Sequence, residues 1–105
     1  VRDEYGKRFN IWHYPIGGGH CTKDKIAYKH PAIFPEQLAY DHIISWSNEG
    51  DIVMDIFMGS GTTAKMCKLT NRNYIGFEIS EEYCKVAMER IAGLQMFTKC
   101  LQFMT

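Results

Sequence analysis

The sequence predicts an α/β fold in which a parallel βαβα unit follows a helix and a loop-rich N-terminal arm. Two short β-branched segments, at residues 51–56 and 74–78, alternate with segments of helical periodicity. A glycine-rich turn at residues 59–61 joins the first of these strands to the helix that follows it. Strands that alternate with helices in this way favour a parallel sheet with right-handed crossovers.

The arm covers residues 1–29 and shows little periodicity. Three consecutive glycines at 17–19 leave the backbone too free for a helix or strand, whereas a short extended piece is predicted at 9–14. Four potential metal ligands lie in or beside this arm: His13, His20, Cys21 and His30. Their spacing matches no zinc pattern, so we expect no metal site.

A helix is predicted from Pro35 to Trp46. Proline has the backbone angle of a first helical position, and Glu36 places an acid where the helix dipole favours one. Apolar residues recur at helical spacing and predict a buried stripe of Leu38, Ala39, Ile43 and Trp46. The polar residues at 47–50 end this helix, and the segment 51–56 reads as a buried strand.

Two further helices complete the unit. The first begins near Gly61 and has an apolar face made of Ala64, Met66, Cys67 and Leu69. The second has Ser80 as its N-cap and runs to Ala92. Its buried face is predicted to contain Tyr83, Ala87, Ile91 and Leu94. We expect residues 93–105 to form a C-terminal tail.

Composition limits the classes of function. Twelve basic and twelve acidic residues give no net charge, which argues against a self-sufficient nucleic-acid binder. The four cysteines are scattered without a C-x-x-C pair, which predicts reduced thiols and a cytoplasmic location. There is no apolar run of the length that a membrane span needs, so we expect no membrane partner.

The turn after the first strand, DIFMGSGTT at 55–63, is the candidate ligand site. Parallel sheets bind ligands at the carboxyl ends of their strands, and glycine lets the backbone approach a ligand closely. Glu78 ends the second strand, where a carboxylate can accept two hydrogen bonds from a ribose diol. Residues 59–64 also fit G-x-G-x-x-G/A, so this turn alone leaves open a nicotinamide cofactor or a purely structural role.

Three segments resemble the DNA N-4/N-6 amino-methyltransferase family, in the group whose cofactor-binding motifs follow the catalytic one. They are HPAIFPEQL at 30–38, GDIVMDIFMGSGTT at 50–63 and RNYIGFEISEEYCKVAMERI at 72–91. The resemblance implies a partial Rossmann-like fold of the S-adenosylmethionine-dependent methyltransferases. Residues 30–92 would then be the cofactor-binding α/β unit, and residues 1–29 the tail of a target-recognition region. The implied activity is site-specific methylation of the exocyclic amino group of adenine or cytosine in DNA, as in restriction-modification systems.

The resemblance also implies which residues bind the cofactor, S-adenosyl-L-methionine. The methionine moiety would contact Asp55 and the backbone around Phe57, Gly59, Ser60, Gly61 and Thr62. Glu78 would accept hydrogen bonds from the ribose hydroxyls, and Ile79 would lie against the adenine. The residues that would close over the cofactor from the other side are His30, Pro31, Ala32 and Phe34. The chain departs from the family at Ile56, where proline is usual, and at Met58, and neither position carries the chemistry.

The family binds the target amino group with a (D/N/S)-P-P-(Y/F) motif, and this chain contains no Pro-Pro pair. We therefore predict no catalytic residue in the chain and no activity alone. A missing N-terminal catalytic half or a second chain would supply the motif and bind double-stranded DNA. The chain would then be a truncated gene product, a split subunit or a fragment.

A bare two-strand sheet exposes its edges, so self-association is also expected. Two alternatives to the methyltransferase reading stay open. One is a degenerate remnant or non-catalytic interaction module that keeps the fold, and the other is a nicotinamide-dependent enzyme.

Overall fold

The computed structural model describes residues 10–16, 20–30, 32–92 and 100–101. Helices alternate with strands along this part of the chain, which confirms the predicted α/β fold. A 3-10 helix at Lys25–Lys29 comes first. The elements that follow are α1 (Glu36–Trp46), β1 (Ile52–Asp55), α2 (Thr62–Leu69), β2 (Asn73–Phe77), α3 (Glu81–Ala92) and β3 (Cys100–Leu101). None of the described helices combines the length and apolar character that a membrane crossing requires.

Local sequence signals account for where the helices begin. Pro35 has an extended backbone, with φ −60° and ψ 136°, and α1 begins one residue later than predicted, at Glu36. The Ser80 hydroxyl accepts a hydrogen bond from the backbone N–H of Tyr83 at 3.3 Å, as expected of an N-cap. Two acidic residues, Glu81 and Glu82, occupy the first turn of α3, where the helix dipole favours negative charge.

The sheet is parallel and has three strands in the order β1-β2-β3. The predicted tail at 93–105 is therefore wrong at Cys100 and Leu101, which pair with Gly76 and Phe77 of β2. Two residues are too few to show a strand pattern in the sequence. They form a strand because they pair with the edge of β2. The rest of the predicted tail lies outside the described residues.

The core lies between the sheet and the helices. One buried cluster joins α1 to α2 and consists of Ala39, Ile43, Met66 and Cys67. A second cluster joins the glycine-rich turn to α2 and α3 and consists of Met58, Ala64, Ala87 and Ile91. Tyr74 of β2 packs against both, and Val53, its partner in β1, packs against the first. All three helices therefore cover the same face of the sheet.

The opposite face of β1 is open to solvent. Ile52 is 66% exposed and Met54 is 61% exposed, so the prediction of a fully buried strand is wrong for these residues. Trp46 at the end of α1 is 70% exposed, and Leu69 at the end of α2 is exposed as well, although both were predicted to be buried. Periodicity identifies an apolar residue but does not show whether a neighbouring element reaches it.

The described part of the arm packs against α1 without forming a strand. Trp12 stacks on His42 with ring centroids 4.3 Å apart, and the Tyr14 hydroxyl donates to Asp41 Oδ2 at 2.6 Å. Residues 11–14 have no regular secondary structure, so the extended piece predicted there does not pair with the sheet. Phe9, its first residue, lies outside the described part.

Two glycines with similar left-handed backbones allow their packing to be compared. Gly61 has φ +84°, and a Cβ built there would lie 2.9 Å from Ala87 Cβ. Gly50 has φ +87° with nothing within 4 Å of the same position. Gly61 is therefore required for both conformation and space, whereas Gly50 is required for conformation alone.

We expect Gly61→Ala to lower the free energy of unfolding by about 2 to 4 kcal/mol, because the alanine adds a steric clash to the left-handed strain. Gly50→Ala should cost only about 1 to 2 kcal/mol. Urea unfolding followed by circular dichroism would measure both. Equal losses for the two variants would contradict the tight packing of Gly61 on Ala87.

Candidate cofactor-binding site

The glycine-rich turn is attached to the end of β2. The backbone N–H of Met58 donates to the carbonyl of Phe77 at 2.8 Å, and that of Gly61 donates to the carbonyl of Met58 at 3.0 Å. Asp55 closes β1 by accepting a hydrogen bond from the backbone N–H of Phe57 at 3.0 Å. The turn thus leaves β1, contacts the end of β2 and enters α2 within a few residues.

Glu78 joins the two strand ends. One carboxylate oxygen accepts a hydrogen bond from the backbone N–H of Gly59 at 2.8 Å. The other accepts one from the backbone N–H of Ser80 at 2.9 Å. A carboxylate offers about four acceptor positions, so capacity remains for hydroxyl donors from outside the protein. The strand-ending acid and the glycine-rich turn, predicted as one site, are in direct contact.

His30 contributes an aromatic ring beside the same turn. A Cβ built on Gly59 would lie 3.1 Å from His30 Nε2, so the absence of a side chain lets the two approach. His30 Nδ1 accepts a hydrogen bond from the backbone N–H of Ala32 at 3.0 Å. The His30 ring also packs on the Tyr83 ring, with ring centroids 4.3 Å apart.

The remaining predicted residues are distributed around this contact. Phe57 is 83% exposed and Ile79 is 71% exposed, so both present apolar surface to solvent beside the turn. Phe34 instead lines a cavity of about 510 Å³. The cavity lies between α1 and β1, where it is bounded by Leu38, Ile43, Trp46, Ile52, Val53 and Thr63. Pro31 lies outside the described residues.

The side chains of Ser60 and Thr62 are buried, not directed to the outside of the turn. Both contact Arg90 of α3, whose own side chain is 1% exposed. Arg90 also donates to Asp24 Oδ2 at 2.9 Å and to Glu36 Oε1 at 2.7 Å. The same two carboxylates accept hydrogen bonds from Lys65, at 2.6 and 2.7 Å.

We call Asp24, Glu36, Lys65 and Arg90 the Arg90 cluster, and sequence reasoning missed it. A signal was present, because Arg90 lies three residues after Ala87 and so falls on the buried stripe of α3. A charge on an apolar stripe requires a partner. The sequence could not show that this partner comes from residues 24 and 36, which are distant along the chain.

The carboxyl groups of the Arg90 cluster have lowered pKa values. Burial alone would raise the pKa of Asp24 and of Glu36, but hydrogen bonds from Lys65 and Arg90 and the positive charge of Lys65 more than offset it. The Thr22 hydroxyl adds a further hydrogen bond to Glu36. Both groups therefore have a pKa below the ordinary value and are charged at neutral pH.

Acid should destabilise the fold through this cluster. Both carboxyl pKa values are lowered from ordinary values of 3.8 and 4.5. Their stabilisation is thus complete above those values and is lost as pH falls through the lowered ones. Urea unfolding from about pH 7 down to about pH 3 should show this decline, and Glu36→Gln should make it shallower. A Glu36→Gln slope equal to that of an exposed control, Glu89→Gln, would contradict this assignment.

The described cysteine thiols are not candidate nucleophiles. Cys21, Cys67 and Cys84 are free and buried. Burial raises the pKa of Cys67 to about 12, with Asp55 raising it further and Arg72 opposing. A thiol in this state carries almost no thiolate at neutral pH. Among the residues whose placement is described, no three His, Cys, Asp or Glu side chains lie together as potential metal ligands.

Comparison with known proteins identifies the family. The sequence profile of the DNA methylase family matches residues 2–89. The chain belongs to the DNA methylase family. This confirms the resemblance drawn from the three motif segments, and it places the glycine-rich turn, Glu78 and most of α3 within the matched region.

The relatives that this chain matches are considerably longer than the chain. The orphan methyltransferase M.BamHII of Bacillus amyloliquefaciens is 69% identical over 99 residues, which are 94% of this chain and 37% of that protein. The type II methyltransferase M.HpaI of Haemophilus parainfluenzae is 43% identical over 82 residues, which are 78% of this chain and 25% of that protein. The matched segment thus spans 37% of the length of one relative and 25% of the other.

Solved structures share the fold. The crystal structure of an M1.HpyAVI–SAM complex superposes with a TM-score of 0.59 at 34% identity, over 81% of this chain and 42% of that one. TTHA0409 from Thermus thermophilus, crystallised with S-adenosyl-L-methionine, gives a TM-score of 0.59 at 24% identity, over 88% and 44%. The predicted partial Rossmann-like fold is confirmed.

Proposed function

We propose that this DNA methylase chain is the S-adenosylmethionine-binding part of a site-specific DNA methyltransferase. The whole enzyme would methylate the exocyclic amino group of adenine or cytosine. The observation that carries the proposal is the contact between Glu78 and Gly59 at 2.8 Å. This contact joins a carboxylate of the kind that binds a ribose diol to a glycine-rich turn, at the neighbouring carboxyl ends of β1 and β2. The M1.HpyAVI complex, with 34% identity, supports this choice of cofactor.

The residues present fit this cofactor. Glu78 keeps unused acceptor positions for the two ribose hydroxyls, and exposed Ile79 follows it with an apolar surface for the adenine ring. The methionine end carries a cationic ammonium and sulfonium, which suit the carboxylate of Asp55. The backbone of the turn would complete this end of the site at Phe57, Gly59, Ser60, Gly61 and Thr62.

His30 and Ala32 would close over the cofactor beside the turn. The His30 ring already lies against Gly59 and is held by its contact with Tyr83, so little ordering is needed on binding. Pro31 and Phe34 belong to the same motif, and their assignment rests on the resemblance. When bound, S-adenosylmethionine supplies the methyl group, and the residues named here bind and orient it.

Methyl transfer would need a second set of residues. The chain contains no Pro-Pro pair with which to bind the target amino group, and it carries no net charge. We infer that an N-terminal catalytic half or a second chain supplies this motif and most of the contacts to double-stranded DNA. The chain alone would then bind the cofactor without methylating DNA.

The uncovered side of β1 fits such a partner. β1 is an edge strand in the described sheet, and the exposed side chains of Ile52 and Met54 form an apolar strip on its open face. The cavity of about 510 Å³ lies beside this strand. Unpaired edges and exposed apolar strips associate readily. A second copy of the chain that used the same surface would give the self-association expected from the sequence.

Calorimetric titration with S-adenosylmethionine tests the cofactor proposal. We expect saturable binding that weakens at least about tenfold in Glu78→Ala, because charge-assisted hydrogen bonds to the ribose are lost. Glu89→Ala, which removes an exposed carboxylate from α3, should bind normally. Circular dichroism would establish that each variant is folded. Absence of binding by the folded wild-type chain would favour the remnant hypothesis, and binding of NAD instead would favour a nicotinamide enzyme.

Complementation tests the partner proposal. The chain should methylate DNA only when mixed with the N-terminal remainder of a relative such as M.BamHII, as measured by transfer of labelled methyl groups. Met54→Glu should abolish this activity, since it places a charge on the open face of β1. Met88→Glu, which changes an exposed methionine on α3, should leave it intact. Methylation by the chain alone, or equal effects of the two substitutions, would refute the proposal.

A further inference from the structure

Arg90 connects the glycine-rich turn to segments distant along the chain. Its partners come from the arm, from the first turn of α1 and from the turn itself, while Lys65 of α2 contacts the same carboxylates. We infer that Arg90 is a positioning residue, which fixes the backbone of the glycine-rich turn in the conformation that receives the cofactor. This inference rests on the proposed function.

The hydrogen bonds of Arg90 divide into two directions. Its Nη1 donates to the Ser60 carbonyl at 3.3 Å, to the Ser60 hydroxyl at 3.3 Å and to the Thr62 hydroxyl at 2.8 Å. Its Nε and Nη2 donate to Asp24 and Glu36. A guanidinium is planar and its donors have fixed directions. The two carboxylates therefore determine the orientation of the nitrogen that contacts the turn.

The contacts with Arg90 decide what the turn presents to a ligand. The side chains of Ser60 and Thr62 are buried in contact with Arg90, so a ligand at the turn would meet its backbone and not these side chains. Gly61, between them, packs on Ala87, which lies one helical turn before Arg90 on the same face of α3. Helix α3 thus contacts the turn at two residues. Ala87 packs on Gly61, and Arg90 donates hydrogen bonds to Ser60 and Thr62.

Fixing this turn before binding has a physical advantage. Glycines have the largest backbone freedom of any residue, and two of them, Gly59 and Gly61, adopt positive φ here. A ligand that had to order them would bind more weakly by the entropy of that ordering. Arg90 supplies the order in the free protein, because its bonds to Ser60 and Thr62 hold the backbone on either side of Gly61.

A lysine at this position would not replace the arginine. An ammonium can neutralise the nearby carboxylates, but it lacks the planar fork that reaches the carboxylates and the turn together. Lys65 already provides a second positive charge at Asp24 and Glu36. Arg90→Lys therefore keeps the charge balance of the cluster and removes the directed contacts with the turn.

The test uses two variants and one control in the complete chain. Arg90→Lys removes the fork, and Thr62→Val removes one acceptor while the ion pairs stay intact. Lys85→Met is the control, since it removes an exposed cation of the same helix whose partner is Glu81 at 3.6 Å. The measurements are melting temperature, amide NMR shifts of Gly59 and Gly61 in the free protein, and calorimetric affinity for S-adenosylmethionine.

We expect both variants to shift the two glycine resonances, to leave the amide resonances of β2 in place and to weaken S-adenosylmethionine binding about tenfold. Lys85→Met should change none of these. A lowered melting temperature with unchanged glycine resonances and affinity would show that Arg90 only stabilises the fold, and would overturn the inference. If Arg90→Lys does not fold, Thr62→Val decides the matter by the same measurements.

The two proposals can fail separately. If the wild-type chain binds no S-adenosylmethionine, the proposed function fails. The glycine resonances of the free protein still show whether Arg90 fixes the turn. If wild type binds but both folded variants bind equally well with unshifted glycine resonances, the proposed function stands and the role of Arg90 is refuted.

Discussion

The burial of the Arg90 guanidinium is the constraint on which the assembly of this chain depends. A buried cation without partners is strongly destabilising, and one with partners is tolerated only when its hydrogen bonds are complete. Here the partners come from Asp24, Glu36, Ser60 and Thr62. The arm, α1, the glycine-rich turn and α3 must therefore come together for all of these hydrogen bonds to form.

Arg90 contacts the same glycine-rich turn that is also held by the end of β2. Glu78 accepts a hydrogen bond from Gly59 at the end of β2, while Arg90 contacts Ser60 and Thr62 from α3. Met58, which precedes Gly59 in the turn, is buried over Gly76, where a Cβ would come within 3.3 Å of three Met58 side-chain atoms. Met58, one of the two residues that depart from the family pattern, thus has a packing role.

Helices cover one face of the sheet, and the opposite face of β1 is open to solvent. Three helices cover the face that contains Val53 and Tyr74, and the open face exposes Ile52 and Met54. Monomeric proteins rarely leave a contiguous apolar strip beside an unpaired edge. This asymmetry supports the proposal that a partner covers the open face of β1.

The sequence by itself determined the order of α1, β1, α2, β2 and α3, their bounds to within a residue or two, the glycine-rich turn and the acid at the end of β2. These features depend on neighbouring residues, through capping, periodicity and glycine conformation. Only the tertiary structure decided that Trp46 is exposed, that Cys100 and Leu101 add a strand, and that Arg90 contacts the turn. Each of those outcomes depends on groups far apart along the chain, and a local pattern carries no information about which distant group will be its neighbour.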